Sequence, residues 1–313
     1  MSDERRRERR AATGTVLAVA VALVALGGIG GSWAFADPAD TRLPASLGWL
    51  RLLDTAPPLA SLPKGPVLER AAARGVLRVG VRRYPRPAPP EAPTPPEPDA
   101  FDATLARQLA DSLGLQLQLV GLAPGEREAA LRDGRIDLLM AGVADEAAPP
   151  SGVAAAPGSY DDGRGQVVAL RRGKLQDEAA LRGAPVCVGE GSGYAGAVAR
   201  RYGAQPRSYP SAVHAASAFM AGECAALAED AEVLQRLMRN EEWRFYKPLA
   251  QGLPLGADAS VRLADGDTVS RDYIAAALRR WRADGTLARA RSARAGNLQF
   301  EIMLLKDGLV CHS

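Results

Sequence analysis

The chain has 313 residues, of which 47% are hydrophobic and 24% are charged, and its formal net charge is +3. This composition is typical of a globular protein, and the length suffices for two lobes of ordinary domain size. Five of the arginines lie between residues 5 and 10, and the remainder of the chain is close to neutral. The charge pattern therefore gives no indication of a nucleic-acid partner.

Residues 1–36 have the pattern of a membrane-targeting segment. Residues 11–36 carry no charge and have an apolar centre at 16–26, directly after the basic run. The uncharged length suffices for a membrane-spanning anchor, whereas the apolar centre alone has the length of a signal peptide. The small residues that end at Ala36 fit a cleavage site and favour removal. Both alternatives place the rest of the chain in the periplasm, either soluble or tethered through residues 37–65.

Strand and helix patterns alternate from residue 76 to residue 143. Short β-branched or alternating apolar runs predict strands, and apolar residues at every fourth position predict an amphipathic helix. The predicted elements are a strand at 76–81, a helix at 101–113, a strand at 115–120, a helix at 126–133 and a strand at 136–143. This β-α-β-α-β order predicts an α/β lobe built on a mostly parallel sheet.

These segments also carry a family resemblance. The runs RGVLRVGV, FDATLARQLADSLGLQLQLV and ALRDGRIDLLMAGV resemble the bacterial periplasmic solute-binding proteins of family 3, which include the polar amino-acid receptors of ABC importers. The later runs ALRGAPVCVGEGSGYAGAVAR, YPSAVHAASAFMAGECAALAED and RRWRADGTLARA resemble the second lobe and the closing helices of the same family. The resemblance covers roughly residues 66–295 and rests on ordered segments rather than on one short motif.

The resemblance implies an α/β, two-lobed periplasmic binding protein-like fold of type II, in which helices flank a mostly parallel sheet in each lobe. The expected organisation is lobe one at 66–162, lobe two at 163–257, and a return to lobe one with a C-terminal tail at 258–313. A proline-rich insertion at 85–98 is expected to form a surface loop. Ligand-driven closure about hinge strands near 166–169 and 260–263 would trap the ligand.

The resemblance also implies ligand-binding positions. Tyr84 follows the first strand, where the family commonly stacks an aromatic ring on the ligand, and the alternative is an ordinary exposed tyrosine. Ser192 opens a helix and would cap it or help its N–H groups to receive an anionic ligand group. Glu229 stands where the family pairs an acid with the ligand ammonium, and Asp230 follows it. Either acid could instead cap the helix that begins at Ala231.

One part of the family's site is missing from the sequence. Amino-acid receptors carry a Ser/Thr-x-Thr-x-x-Arg pattern after the third strand, and its arginine grips the ligand α-carboxylate. Ala144, Glu146 and Pro149 stand at those three positions. Arg82 and its neighbours in the first loop are alternatives, although a solvated surface position is favoured for them. The cleft is therefore expected to prefer a cationic or neutral ligand, or to bind none.

The cysteines allow two interpretations. Cys187 and Cys224 lie on predicted neighbouring strands of lobe two, and an exported location permits a disulfide between them. Two buried thiols are the favoured interpretation, because a disulfide needs a Cα separation of roughly 4.4–6.8 Å, which sequence does not establish. Cys311 is the third cysteine. No metal site, cofactor, catalytic triad or phosphate-binding loop is predicted.

The sequence thus predicts an exported solute-binding protein and not an enzyme. A small polar solute would be captured between the lobes, and an inner-membrane ABC permease would recognise the closed form. The alternative is a membrane-tethered sensor or partner module that has kept the fold and lost small-molecule binding. A periplasmic dehydratase-like enzyme is the third hypothesis, and the missing cationic grip argues against it. Membrane contact is expected through residues 11–36.

Overall fold

A computed structural model describes residues 58–85, 95–142, 151–161, 164–254 and 259–309. The predicted targeting segment, most of the tether and most of the proline-rich insertion lie outside these residues. In the described part the strands are β1 (Val76–Tyr84), β2 (Glu97–Pro98), β3 (Gln116–Leu122), β4 (Leu138–Met140), β5 (Val153–Ala155), β6 (Arg164–Leu170), β7 (Pro185–Gly189), β8 (Gln205–Tyr209), β9 (Ala226–Asp230), β10 (Tyr246–Pro254) and β11 (Arg262–Ala264). The α-helices there are α1 (Pro66–Arg74), α2 (Ala100–Leu113), α3 (Arg127–Arg132), α4 (Tyr194–Tyr202), α5 (Ala212–Met220), α6 (Ala231–Leu237), α7 (Thr268–Ala283) and α8 (Thr286–Leu309).

The predicted β-α-β-α-β order is confirmed, with changed bounds. β1 continues to Tyr84, beyond its predicted end, because Arg83 and Tyr84 pair antiparallel with the short edge strand β2. β2 is formed by the end of the proline-rich insertion, which agrees with the rule that proline is tolerated at a sheet edge. α2 begins after Asp99, whose carboxylate accepts hydrogen bonds from the backbone N–H groups of Phe101 and Asp102.

The first sheet has the order β2-β1-β4-β11-β5, with β3 also paired to β1. β1, β3 and β4 are parallel to one another, and β11 is antiparallel to both β4 and β5. Val79, Val81 and Met140 are fully buried and pack in one core with Leu105 of α2 and Ile274 of α7. We call this sheet with α1, α2, α3 and α7 lobe one.

The second sheet has the order β10-β6-β9-β7-β8, and with α4, α5 and α6 it forms lobe two. β7 is parallel to β8 and β9, and Cys187 of β7 lies opposite Leu227 of β9. Cys224 lies two residues before β9, and its Cα atom is 5.6 Å from that of Cys187, so the two form a disulfide. The favoured interpretation of two buried thiols is therefore wrong, because the turn before β9 brings Cys224 within bonding range of Cys187.

The chain crosses between the sheets twice. It leaves the first sheet after β5 and enters the second at β6, and it returns between β10 and β11. Asp161 and Ala259, one in each crossing segment, form an antiparallel bridge. The crossings therefore lie side by side, slightly N-terminal to the two segments predicted as hinges.

The last helix, α8, packs on both lobes. Leu287 and Ala290 belong to the core of lobe one, whereas Ala295, Leu298 and Ile302 belong to a core of lobe two. The C-terminal segment was expected to return to lobe one, so its contact with lobe two was not predicted. None of the helices in the described ranges has the length and hydropathy needed to cross a membrane.

A candidate ligand-binding cleft

A cavity of about 670 Å³ lies between the lobes. Lobe one contributes the end of β1, the start of α2 and the turn before α3, and lobe two contributes the ends of β7 and β9 and the start of α5. α8 provides a further wall through Arg294, Asn297, Leu298 and Glu301. Ligand sites of α/β proteins commonly lie at the carboxyl ends of parallel strands, and this volume is in the range of small-molecule pockets.

Charged side chains of both signs line the cavity. Its described arginines are Arg82, Arg83, Arg127 and Arg294. Its described carboxylates are Glu97, Asp99, Glu190, Glu229 and Glu301. The cavity is therefore lined by four positively and five negatively charged side chains, and this near balance suits a polar solute without a large net charge.

Arg82 lines the cleft and is held by two acids of lobe one. Its Nε lies 2.8 Å from a carboxylate oxygen of Asp102, and its Nη2 donates to Asp102 at 3.0 Å and to Asp99 at 3.3 Å. Burial acts against ionisation of Asp99, but the attraction of Arg82 and then of Arg294 outweighs it and lowers the pKa of Asp99. Arg82 therefore maintains the cleft wall and is not available as a simple grip on a ligand carboxylate.

Glu229 is the most deeply buried acid of the cavity wall. Its exposed fraction is 2%, and neither carboxylate oxygen has a hydrogen-bond partner of ordinary geometry within the described part of the chain. The nearest cation, Nη2 of Arg294, is 3.8 Å from Oε1 of Glu229. Burial raises the pKa of Glu229 against the attraction of Arg294. A buried carboxylate in this state favours a donor group from a bound molecule.

The sequence-based candidates differ in where the structure places them. Tyr84 lines the cleft, and its hydroxyl donates a 2.6 Å hydrogen bond to Glu301 of α8. Ser192 also lines it, accepts from the backbone N–H of Tyr194 at 3.3 Å, and donates to the carbonyl of Gly189 at 2.6 Å. These two residues and Glu229 thus lie around one cavity.

Asp230 has a different position. Its carboxylate accepts hydrogen bonds from the backbone N–H groups of Glu232 and Val233, so it caps α6. It is not among the described residues that line the cavity. Of the two alternatives for this residue, the structure favours the helix cap over the ligand contact.

Sequence reasoning missed two arginines of the cleft. Arg294 reaches it from α8, and Arg127 from the first turn of α3, where it is 6% exposed. A Cβ atom added to Gly191 would lie 2.7 Å from Nη2 of Arg127, so this lobe-one side chain lies directly against a turn of lobe two. No sequence signal identifies either residue, because nothing in the local pattern distinguishes them from exposed arginines of the same helices such as Arg132 and Arg289.

The loop predicted to lack the carboxylate grip, with Ala144, Glu146 and Pro149, lies outside the described residues. The absence of that grip stays a prediction.

Comparisons with known proteins agree with this architecture. The family model for bacterial extracellular solute-binding proteins, family 3, matches residues 77–293. An amino acid ABC transporter substrate-binding protein from Streptococcus pneumoniae Canada MDR_19A, solved with bound L-arginine, is 17% identical with a TM-score of 0.57, and the match covers 74% of this chain and 98% of that chain. A mutant of ArgBP from T. maritima is 18% identical with a TM-score of 0.54, with coverage of 72% and 96%.

An arginine 3rd transport system periplasmic binding protein from Legionella pneumophila is 18% identical with a TM-score of 0.53, and the match covers 70% of this chain and 98% of that chain. At this identity the solved structures establish the shared two-lobed fold. A search of curated protein sequences gave no match. The family model spans most of the chain, which confirms the predicted family: the protein belongs to the bacterial extracellular solute-binding proteins, family 3.

Proposed function

We propose that this protein captures a small polar solute with an amino group in the cleft between its lobes and presents it to an ABC-type importer. The observation that carries the proposal is the buried carboxylate of Glu229 in the cavity wall. An ammonium group would supply the charge-assisted hydrogen bonds that this carboxylate does not receive from the described chain. The L-arginine bound to the Streptococcus pneumoniae protein supports an amino-acid-like class of solute.

Two further features support this chemistry. Ser192 and Ser211 lie at the starts of two helices on the lobe-two side of the cavity and can exchange hydrogen bonds with a polar solute. Arg127 places a cation on the opposite side. The cavity thus offers groups for an ammonium and for a polar or anionic end without the arginine that the family carries after its third strand.

A thermal-shift screen of neutral amino acids, small amines and polar non-amines tests the proposal. A solute at about 100 times its dissociation constant stabilises the folded state by about 2.7 kcal/mol. Glu229→Gln is expected to abolish the shift. Glu223→Gln, in which an exposed acid bonded to Tyr209 is changed in the same way, is the matched control and should keep it. A wild type that no compound stabilises, or a Glu229→Gln variant that keeps the full shift, would overturn the proposal.

The pH dependence gives a second test of the same site. Because the pKa of Glu229 is raised above its ordinary value of 4.5, the acid takes up a proton earlier than a solvated glutamate as the pH falls. Binding of an amine is therefore expected to weaken as the pH falls from neutrality through that raised pKa. Affinity that stays constant down to pH 4.5 would contradict a role for ionised Glu229.

One observation favours the alternative of a partner module that no longer binds small molecules. α8 packs on both lobes and brings its own cation, Arg294, to Glu229. In that case no small molecule would shift the melting temperature, and Glu229→Gln would act only on stability. The same screen therefore separates the two functions.

We propose further that residues 11–36 direct export to the periplasm. Mass spectrometry of the protein from its native host decides between cleavage and anchoring. A mature chain that begins at Asp37 indicates a cleaved signal peptide, and an intact N-terminus in the membrane fraction indicates a tether.

A further inference from the structure

Arg294 occupies an unusual position for a side chain of a C-terminal helix. Its side chain is 14% exposed, and its guanidinium lies 3.4 Å from a carboxylate oxygen of Asp161 and 3.8 Å from one of Glu229. Its Cζ lies 5.7 Å from the centre of the Phe101 ring. The three partners come from the crossing segment, from β9 of lobe two and from α2 of lobe one, so the guanidinium lies where the lobes meet.

Two carboxylates and an aromatic ring are the groups that a protein uses to recognise a guanidinium ligand. Here the chain supplies that ligand itself. Burial and Arg82 act against the charge of Arg294, but Glu229, Asp161 and Asp99 outweigh them and raise its pKa, so the guanidinium stays charged. The cation is therefore a permanent part of the cavity wall.

The position of Arg294 is fixed by the packing of α8. Leu287, before it, is buried in lobe one, and Leu298 and Ile302, after it, are buried in lobe two. Arg236 of α6 also donates a 2.6 Å hydrogen bond to Ser292, two residues before Arg294. Because α8 packs against both lobes, the position of its backbone at residue 294 is fixed. Arg294 therefore cannot leave the cavity without loss of these contacts.

We infer that Arg294 is a built-in occupant of a guanidinium subsite and that it determines specificity by excluding solutes with a cationic side chain. The inference deepens the proposed function, because it concerns the same cleft and selects a compact neutral or zwitterionic amine over arginine-like compounds. The carboxylate oxygens of Glu229, which have no hydrogen-bond partner in the described part of the chain, still accept a small ammonium group. A second guanidinium would clash with the side chain of Arg294 and be repelled by its charge.

Chemical rescue of Arg294→Ala tests this directly. The substitution removes the guanidinium from between Asp161, Glu229 and the Phe101 ring, so the variant is expected to melt at a lower temperature than the wild type. Methylguanidinium at millimolar concentration should raise that melting temperature, and L-arginine should bind at least about tenfold more tightly than to the wild type. Arg289→Ala is the matched control, since this arginine lies on the same helix but is exposed and bonded to Asp284 and Thr286.

The inference is overturned if methylguanidinium shifts Arg294→Ala no more than it shifts the wild type and Arg289→Ala. If Arg294→Ala does not fold alone, methylguanidinium present during refolding is expected to restore the native circular dichroism spectrum, and a variant that stays unfolded overturns the inference as well. A wild type that binds no solute would overturn the proposed function alone, because rescue of the variant does not require a natural solute.

Discussion

The hydroxyl of Tyr84, at the end of the first strand, donates a 2.6 Å hydrogen bond to the carboxylate of Glu301 in the last helix. The two residues are separated by 217 positions, and both line the cleft. Burial, and then this bond, raise the pKa of the Tyr84 hydroxyl, so it donates at all physiological pH values. The ring that was expected to stack on the ligand is thus also a tie between β1 and α8.

Tyr84→Phe is expected to lower the free energy of unfolding by about 1.5–3 kcal/mol, because it removes a partly buried hydrogen bond to a charged acceptor. Tyr209→Phe is the matched control, since the Tyr209 hydroxyl bonds to the carboxylate of Glu223 at an exposed position. Urea unfolding of both variants measures the difference. Equal losses in the two variants would show that the bond to Glu301 has no special role.

Asp99→Asn is expected to destabilise the protein in a pH-dependent manner. The pKa of Asp99 is lower in the folded state than its ordinary value of 3.8. Its charge therefore stabilises the folded state at pH values above 3.8, and this stabilisation is lost as the pH falls through the folded pKa. Asparagine still caps α2, so the variant isolates the effect of the charge on Arg82 and Arg294.

The measurement is the wild-type advantage in unfolding free energy as a function of pH. We expect about 1–3 kcal/mol above pH 3.8 and a progressive decrease below it. Glu241→Gln, which changes an exposed acid paired with Arg244, should show little difference at any pH. An advantage over Asp99→Asn that does not vary with pH would argue against an ionic contribution.

Reduction of the Cys187–Cys224 disulfide is expected to lower the unfolding free energy by about 2–4 kcal/mol, because the bond closes a loop across 37 positions and restricts the unfolded chain. The chain has three cysteines, so only Cys311 should react with a thiol reagent under denaturing, non-reducing conditions. A Cys187→Ala, Cys224→Ala double variant should be insensitive to reductant. Three reactive thiols in protein isolated without reductant would contradict the bond.

Gly191→Ala is expected to displace the Arg127 guanidinium, because its Cβ atom would lie 2.7 Å from Nη2 of that side chain, and so to weaken solute binding by up to about tenfold, or about 1.4 kcal/mol. Gly222→Ala is the matched control, since both glycines have positive φ angles but the space around Gly222 is open. Each substitution should cost about 1–2 kcal/mol of stability for the backbone conformation. Calorimetry with a solute from the screen separates the effect on binding from the effect on stability. Equal solute affinities of Gly191→Ala and Gly222→Ala would show that the position of Arg127 against Gly191 does not contribute to binding.

Local pattern was sufficient to predict the order of strands and helices in lobe one. Apolar periodicity and helix-ending glycines depend on neighbours within a few residues, so they can be recognised from the sequence alone. The bounds were less accurate, since the end of β1 depends on its pairing with β2, which follows an insertion. The position of Glu229 was predicted by counting along a family pattern, and it lies in the cleft wall.

The sequence by itself determined the family, the two-lobed α/β architecture and the strand that carries Glu229. Only the tertiary structure decided that Cys187 and Cys224 are bonded, that Arg127 reaches the opposite lobe and that Arg294 enters the cleft from α8. The physical reason is the range of the interactions. Periodicity is a property of adjacent residues, whereas the path of Arg294 to Glu229 depends on how the apolar face of one helix fits the cores of both lobes at once.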